Sequence, residues 1–226
     1  MWCVPKLDDE YIKRMEDVLN TLAKPMNPDE PVVALDERPV QLHGSARPDT
    51  ALAPGRVKRR DYEYVRRGTA NVFCIVEPKA GRHMTHATTN RKGPRFAGAI
   101  QRIADAYPNA QTIHLIMDNL STHRVKSLTD RWGLAYGREL WSRFTIHYTP
   151  KHGSWLNPAE IEASMWSREC MGRNRFPELR MLQDQTKAWN RQTDRSRRTI
   201  QWRFTTAKAR RLFGYRHKST TPRERH

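Results

Sequence analysis

Cysteine is scarce in this chain. Only Cys3, Cys74 and Cys170 occur among 226 residues, far apart in sequence. That excludes a disulfide framework and offers no pair at zinc-site spacing, so reduced thiols are expected. Long apolar runs are also missing: nothing approaches the ~18 consecutive apolar residues of a membrane span. Residues 1–10 lack the apolar core of an export signal, and the sequence shows no internal repeat. A soluble, cytoplasmic protein with no membrane partner is predicted. Acid is in short supply as well, with 24 Asp and Glu against 41 Lys and Arg, a formal charge of +17. The excess is uneven. Residues 1–30 carry 4 basic and 7 acidic side chains, whereas residues 171–226 carry 16 and 4, a net +12. A field of that sign predicts a polyanionic partner, most simply nucleic acid, because each neutralised phosphate releases a condensed counterion.

What is present centres on residues 112–119, a short apolar run that ends on Asp118 and Asn119. The run is too short for a free-standing helix and reads as a buried strand with polar groups at its carboxyl end, where open α/β sheets place their chemistry. An ordinary Asx turn would give the same pattern. Around it, helical spacing marks 8–23, and Pro25, Pro28 and Pro31 then lead to a second apolar strand, 31–37, that also ends in acid at Asp36 and Glu37. Residues 38–61, rich in Pro, Gly and basic side chains, read as a long exposed loop. Strands are expected at 69–77, 82–88 and 144–148, and helices at 94–107, 124–132 and from 157 onward. His83 and His86, as strand neighbours, are badly placed to share a metal. The order predicts a mixed sheet flanked by helices, ribonuclease-H-like in class, with a basic C-terminal helical extension. Its divisions are an N-terminal helix and linker (1–30), a central domain (31–172), basic helices (173–214) and a disordered tail (215–226).

In such a sheet Asp36, Asp118 and Glu160 could converge at one edge. Close carboxylates repel unless a cation sits among them. Mg²⁺ or Mn²⁺ is the natural partner, and two such ions would activate a water or a 3′-hydroxyl on one side and stabilise the leaving oxygen on the other. Glu160 has a competing structural role, as the third residue of a capping box opened by Asn157 and Pro158. Glu162 is the rival acid, about 200° further around the helix. Spacing alone does not choose between them.

Several separated motifs carry a resemblance. Asp36-Glu37-Arg38-Pro39, Arg60-Asp61-Tyr62-Glu63-Tyr64 with Arg67-Gly68-Thr69-Ala70-Asn71, Asp118-Asn119 with His123, and the stretch from Tyr148 through Lys151 and Trp155 to Asn157 with Glu160 occur in that order. Together with Trp202-Arg203-Phe204-Thr205-Thr206 they resemble DDE superfamily endonucleases, more narrowly the mariner-related transposases of bacterial insertion sequences. The resemblance implies metal-dependent DNA strand cleavage and strand transfer, with Asp36, Asp118 and Glu160 as the metal-binding acids. Asn119 and His123 would support them, and Glu37 would point to the other face of its strand. Backbone phosphates would be held by Arg56, Lys58, Arg59, Arg60, Lys151, Arg197, Arg198, Lys208, Arg210 and Arg211. The implied partners are transposon-end and target DNA and a second copy of the chain, acting at the bacterial nucleoid. Relatives of this kind carry helix-turn-helix modules ahead of this domain. Here Met1 directly precedes Trp2-Cys3-Val4-Pro5, which resembles an internal part of longer relatives, so a separate end-recognition protein or an inert DNA-binding remnant is the alternative.

Overall fold

The computed structural model describes residues 7–47, 54–55 and 62–215. Helix α1 (Asp9–Ala23) begins where the Asp8 carboxylate accepts a 2.9 Å hydrogen bond from the Tyr11 backbone N–H. Its stripe of Tyr11, Met15, Val18, Leu19 and Leu22 is buried, as the three-and-four spacing requires.

The sheet comprises β1 (Val32–Ser45), β2 (Tyr64–Glu77), β3 (Arg82–His83), β4 (His86–Thr88), β5 (Ile113–Met117) and β6 (Phe144–Tyr148). Strand order is β3-β2-β1-β5-β6, with β4 also on β2. β1 is antiparallel to β2 and parallel to β5, and β5 is parallel to β6. The parallel crossovers are made by α2 (Gly93–Ala106) before β5 and by α3 (Val125–Trp132) and α4 (Leu134–Ser142) before β6. After β6 come α5 (Ala159–Trp166), a π-helical turn (Ser167–Met171), α6 (Leu179–Arg195) and α7 (Thr206–Phe213).

Alternation along the strands builds two interfaces. Val33, Leu35, Phe73, Ile75, Ile113, Leu115 and Met117 face Phe96, Ile100 and Ile103 of α2 together with Leu128 and Leu140. On the opposite face, Val72 and Cys74 meet Trp166, Leu182 and Trp189 of α5 and α6. Ala34, Val76 and Ile116 meet α1 on that same side, with Ala209 of α7 in the same cluster. The result is the mixed, helix-flanked, ribonuclease-H-like sheet that the element order predicts. Cys74 and Cys170 are buried free thiols, and no helix among the described residues is long and apolar enough to cross a membrane.

Four local expectations are corrected. β1 does not stop at Asp36 and Glu37: it continues through Pro39 to Ser45, so much of the anticipated 38–61 loop is strand. β2 supplies the pairing, from Pro39 opposite Asn71 to Ser45 opposite Tyr64. β5 ends at Met117, so this part of β1 pairs on one side, where sheets tolerate proline. β2 correspondingly begins at Tyr64 rather than at 69, with its first six residues exposed. The 82–88 strand is broken in two, because the Thr85 hydroxyl, not a backbone carbonyl, accepts the Ile75 N–H at 3.2 Å. α4 was not anticipated; Gly133, at φ +87°, separates it from α3. Residues 216–226 of the expected tail, and the expected phosphate contacts Arg56, Lys58, Arg59 and Arg60, lie outside the described residues.

Candidate active site

The parallel register between β1 and β5 pairs Val32 with His114, Val33 with Leu115 and Ala34 with Ile116. Continued by two residues, the same offset sets Asp36 beside Asp118, on neighbouring strands about 4.8 Å apart. Alternation then sends Asp36 to the α5 side of the sheet, with Cys74 opposite it, and Glu37 to the α2 side, with Phe73 opposite it.

Glu160 is brought to the same edge by Asn157. The Asn157 side-chain N–H donates to the Leu35 carbonyl at 2.8 Å, one residue before Asp36, while its Oδ1 accepts from the Ala159 N–H at 3.1 Å. The start of α5 is thereby fastened to β1. The capping box does not form, since the Asn157 N–H that Glu160 would have to accept is already donated to the Ser154 carbonyl at 2.7 Å. Glu160 is exposed and Glu162, half a turn away, is fully buried at 0 % exposure. Glu162 accepts from Thr85 Oγ1 at 2.7 Å and pairs with His83 Nδ1 at 2.8 Å, so it does not belong to the exposed edge. His83 is thus taken up by Glu162, and half-buried His86 stacks on Phe73.

The Asp36 carboxyl is pushed up to about 7, by burial first and then by the negative charge of Glu160, with Glu37 and Asp118 adding to it and the Glu37 backbone N–H opposing. Asp118 behaves oppositely. Partial burial would raise it, but His123 and the Leu120 N–H hold it below the usual carboxylate range. His123 is fully buried and bridges two strands: Nδ1 lies 2.7 Å from Asp118 Oδ1 and Nε2 lies 2.6 Å from Glu37 Oε1. Burial alone would lower the His123 pKa; the two carboxylates outweigh it and lift it to about 10. The ring also stacks on Phe96, and the Tyr148 hydroxyl donates to the His123 carbonyl at 2.8 Å.

Glu37, Asp118 and His123 bring ligating atoms within 4.8 Å of one another, a spacing that a metal could use. Both His123 nitrogens, however, face carboxylates at hydrogen-bond distance, so the ring is held by protons and has no free lone pair to offer. Among the described residues, no cation pairs with Asp36 or Glu160. The metal-spaced group among the described residues does not include Asp36 or Glu160, but the charges of Glu160 and Asp118 both reach Asp36, and carboxylate oxygens are the donors that hard divalent cations take.

The other expected residues divide. Asn119 is exposed and accepts from Arg124 at 3.3 Å. Lys151 and His152 line a cleft of about 860 Å³ with Asp118, Asn119, Tyr11 and Arg14. Their loop is a tight turn: Gly153 N–H donates to Pro150 at 2.8 Å, and His152 takes φ +60°. Arg197 and Arg198 lie elsewhere. They lie against Gly81, in the turn between β2 and β3, and that turn follows Val76, which pairs with Ala34. It is therefore at the amino end of β1 and β5, opposite Asp118. Arg198 is also paired with Glu169 at 2.5 Å, and Arg210 holds Glu16 at 2.8 Å. Lys208 donates to the Arg203 carbonyl at 2.8 Å, and Arg211 is exposed on α7. Sequence reasoning missed Arg91 and Arg14: Arg91 helps hold the Asp118 carboxyl low, and burial raises the Tyr148 hydroxyl against the opposing charges of Arg124 and Arg14. They come from elements with no motif of their own, so only the fold reveals them.

A ribonuclease-H-like sheet with Asp36 inside β1 and Asp118 just beyond the end of β5 defines a class of nucleases, to which the comparisons also point. Residues 31–183 match the model of the DDE superfamily endonucleases, and the chain belongs to that family. Among solved structures, the Mos1 mariner paired-end complex with Mn superposes with a TM-score of 0.52 at 13 % identity, covering 88 % of this chain and 60 % of that one. The Mos1 transposase paired-end complex with its left transposon end gives 0.51 at 14 % identity, covering 84 % and 57 %. The paired-end complex with Mg gives 0.50 at 11 % identity, covering 88 % and 62 %. The chain thus spans about 60 % of the length of these relatives, and identities this low speak for the fold. No curated protein matches the chain.

Proposed function

We propose that this chain is the catalytic domain of a transposase, cutting DNA strands and joining a freed 3′-hydroxyl to target DNA in a divalent-metal-dependent reaction. The observation that carries the reading is the shared edge of Asp36, Asp118 and Glu160, where Asp36 is pushed up to about 7 by burial and by its acidic neighbours. Excess negative charge of this kind calls for a cation. Mg²⁺ or Mn²⁺, in one or two sites, would supply Lewis acidity toward a phosphodiester and an activated oxygen nucleophile. Asp36 and Asp118 would hold the metal from adjacent strands and Glu160 from α5. His123 would keep the Asp118 carboxylate in one orientation by bridging it to Glu37. Arg14, Arg91, Arg124, Lys151 and His152 would grip phosphates on either side of the scissile bond, positioning DNA without reading bases. The solved relatives were captured with transposon-end DNA and with Mn or Mg, in keeping with duplex DNA as substrate. A second copy of the chain and an end-recognition domain or protein would supply pairing and sequence specificity.

The test is nicking of supercoiled plasmid with Mg²⁺ or Mn²⁺, beside a chelator control and Asp118→Ala. Metal-dependent nicking that Asp118→Ala lowers at least 100-fold, with DNA binding retained, is the expected result. Nicking that survives the substitution would remove Asp118 from the reaction. Binding without any nicking would instead favour an inert DNA-binding remnant.

A further inference from the structure

Helix α5 has only eight residues and no side-chain cap of its own, yet it must present Glu160 toward β1. Asn157 fastens its start to the Leu35 carbonyl. Trp166, fully buried and donating to Thr186 at 3.2 Å, packs the far end of the helix into the core, but apolar packing alone sets a rotation less sharply than directional bonds do. A further directional tie is Glu162, on the buried side, with both carboxylate oxygens paired. Glu162 Oε1 accepts from Thr85 Oγ1 at 2.7 Å and Oε2 meets His83 Nδ1 at 2.8 Å. The other His83 nitrogen donates to the Arg198 carbonyl at 3.0 Å, and the His83 backbone N–H donates to Asp194 at 2.8 Å. The His83 ring lies edge-on to Trp189. Segment 196–200 is itself strapped down, with the Ile200 N–H bonded to the Pro78 carbonyl at 2.8 Å and Arg197 backbone against Gly81, where a Cβ would come within 2.8 Å.

We infer that the buried Glu162–His83 pair, closed by Thr85 and the Arg198 carbonyl, is a positioning device that sets the rotation of α5 and so aims Glu160 at Asp36. This deepens the site reading above and rests on it. Positions 160 and 162 lie about 200° apart on a helix, so holding one inward fixes the other outward. A well-packed apolar pair would serve stability as well as or better than a buried ion pair, whereas the directional contacts of a carboxylate fix an angle. Neither Glu162 nor His83 touches substrate in this role; both act through Glu160.

The experiment uses the full chain and compares wild type, Glu162→Gln, Thr85→Val and Asp36→Ala. Mn²⁺ affinity is read by electron paramagnetic resonance, duplex binding is measured in chelator, and amide hydrogen exchange is followed across α5. Glu162→Gln should weaken Mn²⁺ binding about 10-fold, the scale reported for partners one shell removed from a metal. It should also speed exchange in α5 while leaving metal-free DNA binding unchanged. Thr85→Val, which keeps the ion pair but also takes the acceptor from the Ile75 N–H of β2, should show the same changes in α5 to a smaller degree and decides the matter if Glu162→Gln does not fold. Unchanged exchange in α5 in a folded variant would overturn the inference, as would unchanged Mn²⁺ affinity where Asp36→Ala abolishes it. Should Asp36→Ala bind Mn²⁺ as wild type does, the site reading fails instead, and α5 exchange alone then decides whether Glu162 holds the helix.

Discussion

Asp36 shows how burial and acidic neighbours act together on a single carboxyl. Its pKa is raised from 3.8 to about 7, so the folded state retains a proton that the unfolded chain releases. The stability this confers is full below about pH 3.8 and is lost as pH rises through 7. A divalent cation needs the ionised form and reverses that loss. Mg²⁺ should therefore raise the Tm little at about pH 6 and clearly at about pH 8, in thermal melts with and without the ion; equal shifts at both would sink the argument. His123 carries the complementary sign. Its pKa is raised from 6.5 to about 10, so its clasp on Glu37 and Asp118 stabilises fully below about 6.5 and is lost as pH rises through about 10. The wild-type Tm should fall across that window more steeply than that of His123→Gln. Sequence made the first two acids visible, because an apolar strand ending in acid is a pattern in itself. It could not tell by spacing which of Glu160 and Glu162 is buried, since Glu162 is drawn inward by His83 and Thr85, some 80 positions away and joined to it only by the fold.

At the level of elements, the site depends on how far strands run and on what ties helices to them. Asn157 is 1 % exposed and donates to the Leu35 carbonyl from a loop 122 positions away. Asn157→Ala leaves that acceptor buried without its partner. A loss of about 1–3 kcal/mol in stability is expected, measured by urea denaturation, with nicking reduced beyond what the unfolded fraction explains. Gly153 makes a similar demand on the loop beside Asp118: a Cβ there would stand 2.5 Å from Pro150 Cγ. Gly153→Ala should therefore displace Lys151 and His152 and weaken DNA binding more than stability. The continuation of β1 past Asp36 was partly readable, because Val40 and Leu42 are buried and alternate with exposed Pro39 and Gln41. Pro39 and Gly44 masked it. Proline and glycine signal breaks when no partner is known, and the partner, β2, begins only at Tyr64. The turn at α3 and α4 escaped for a similar reason: only the positive φ of Gly133 marks it.

Across the whole molecule, charge counted along the chain and charge gathered in space are different quantities. The C-terminal residues are the most basic by sequence, yet Arg210 is spent on Glu16, Arg198 on Glu169, and Arg197 sits at the sheet end opposite Asp118. Among the described residues, the cations near Asp118 come from α1, from the loop before α2, from the loop after β5 and from the loop after β6, so a segment count misses them. This divides two sources of affinity. Each phosphate contact should add about −0.9 to the slope of log K against log salt. Arg91→Ala and Arg124→Ala, exposed side chains whose loss should leave the core intact, should each flatten that slope by about 1 and lower nicking along with binding. Arg197→Ala, at the far end, should change neither if cleavage needs only the phosphates beside Asp118. Titrating duplex DNA against salt for the three variants checks this. A slope change confined to Arg197→Ala would move the DNA path to the opposite edge of the sheet, away from every carboxylate named above.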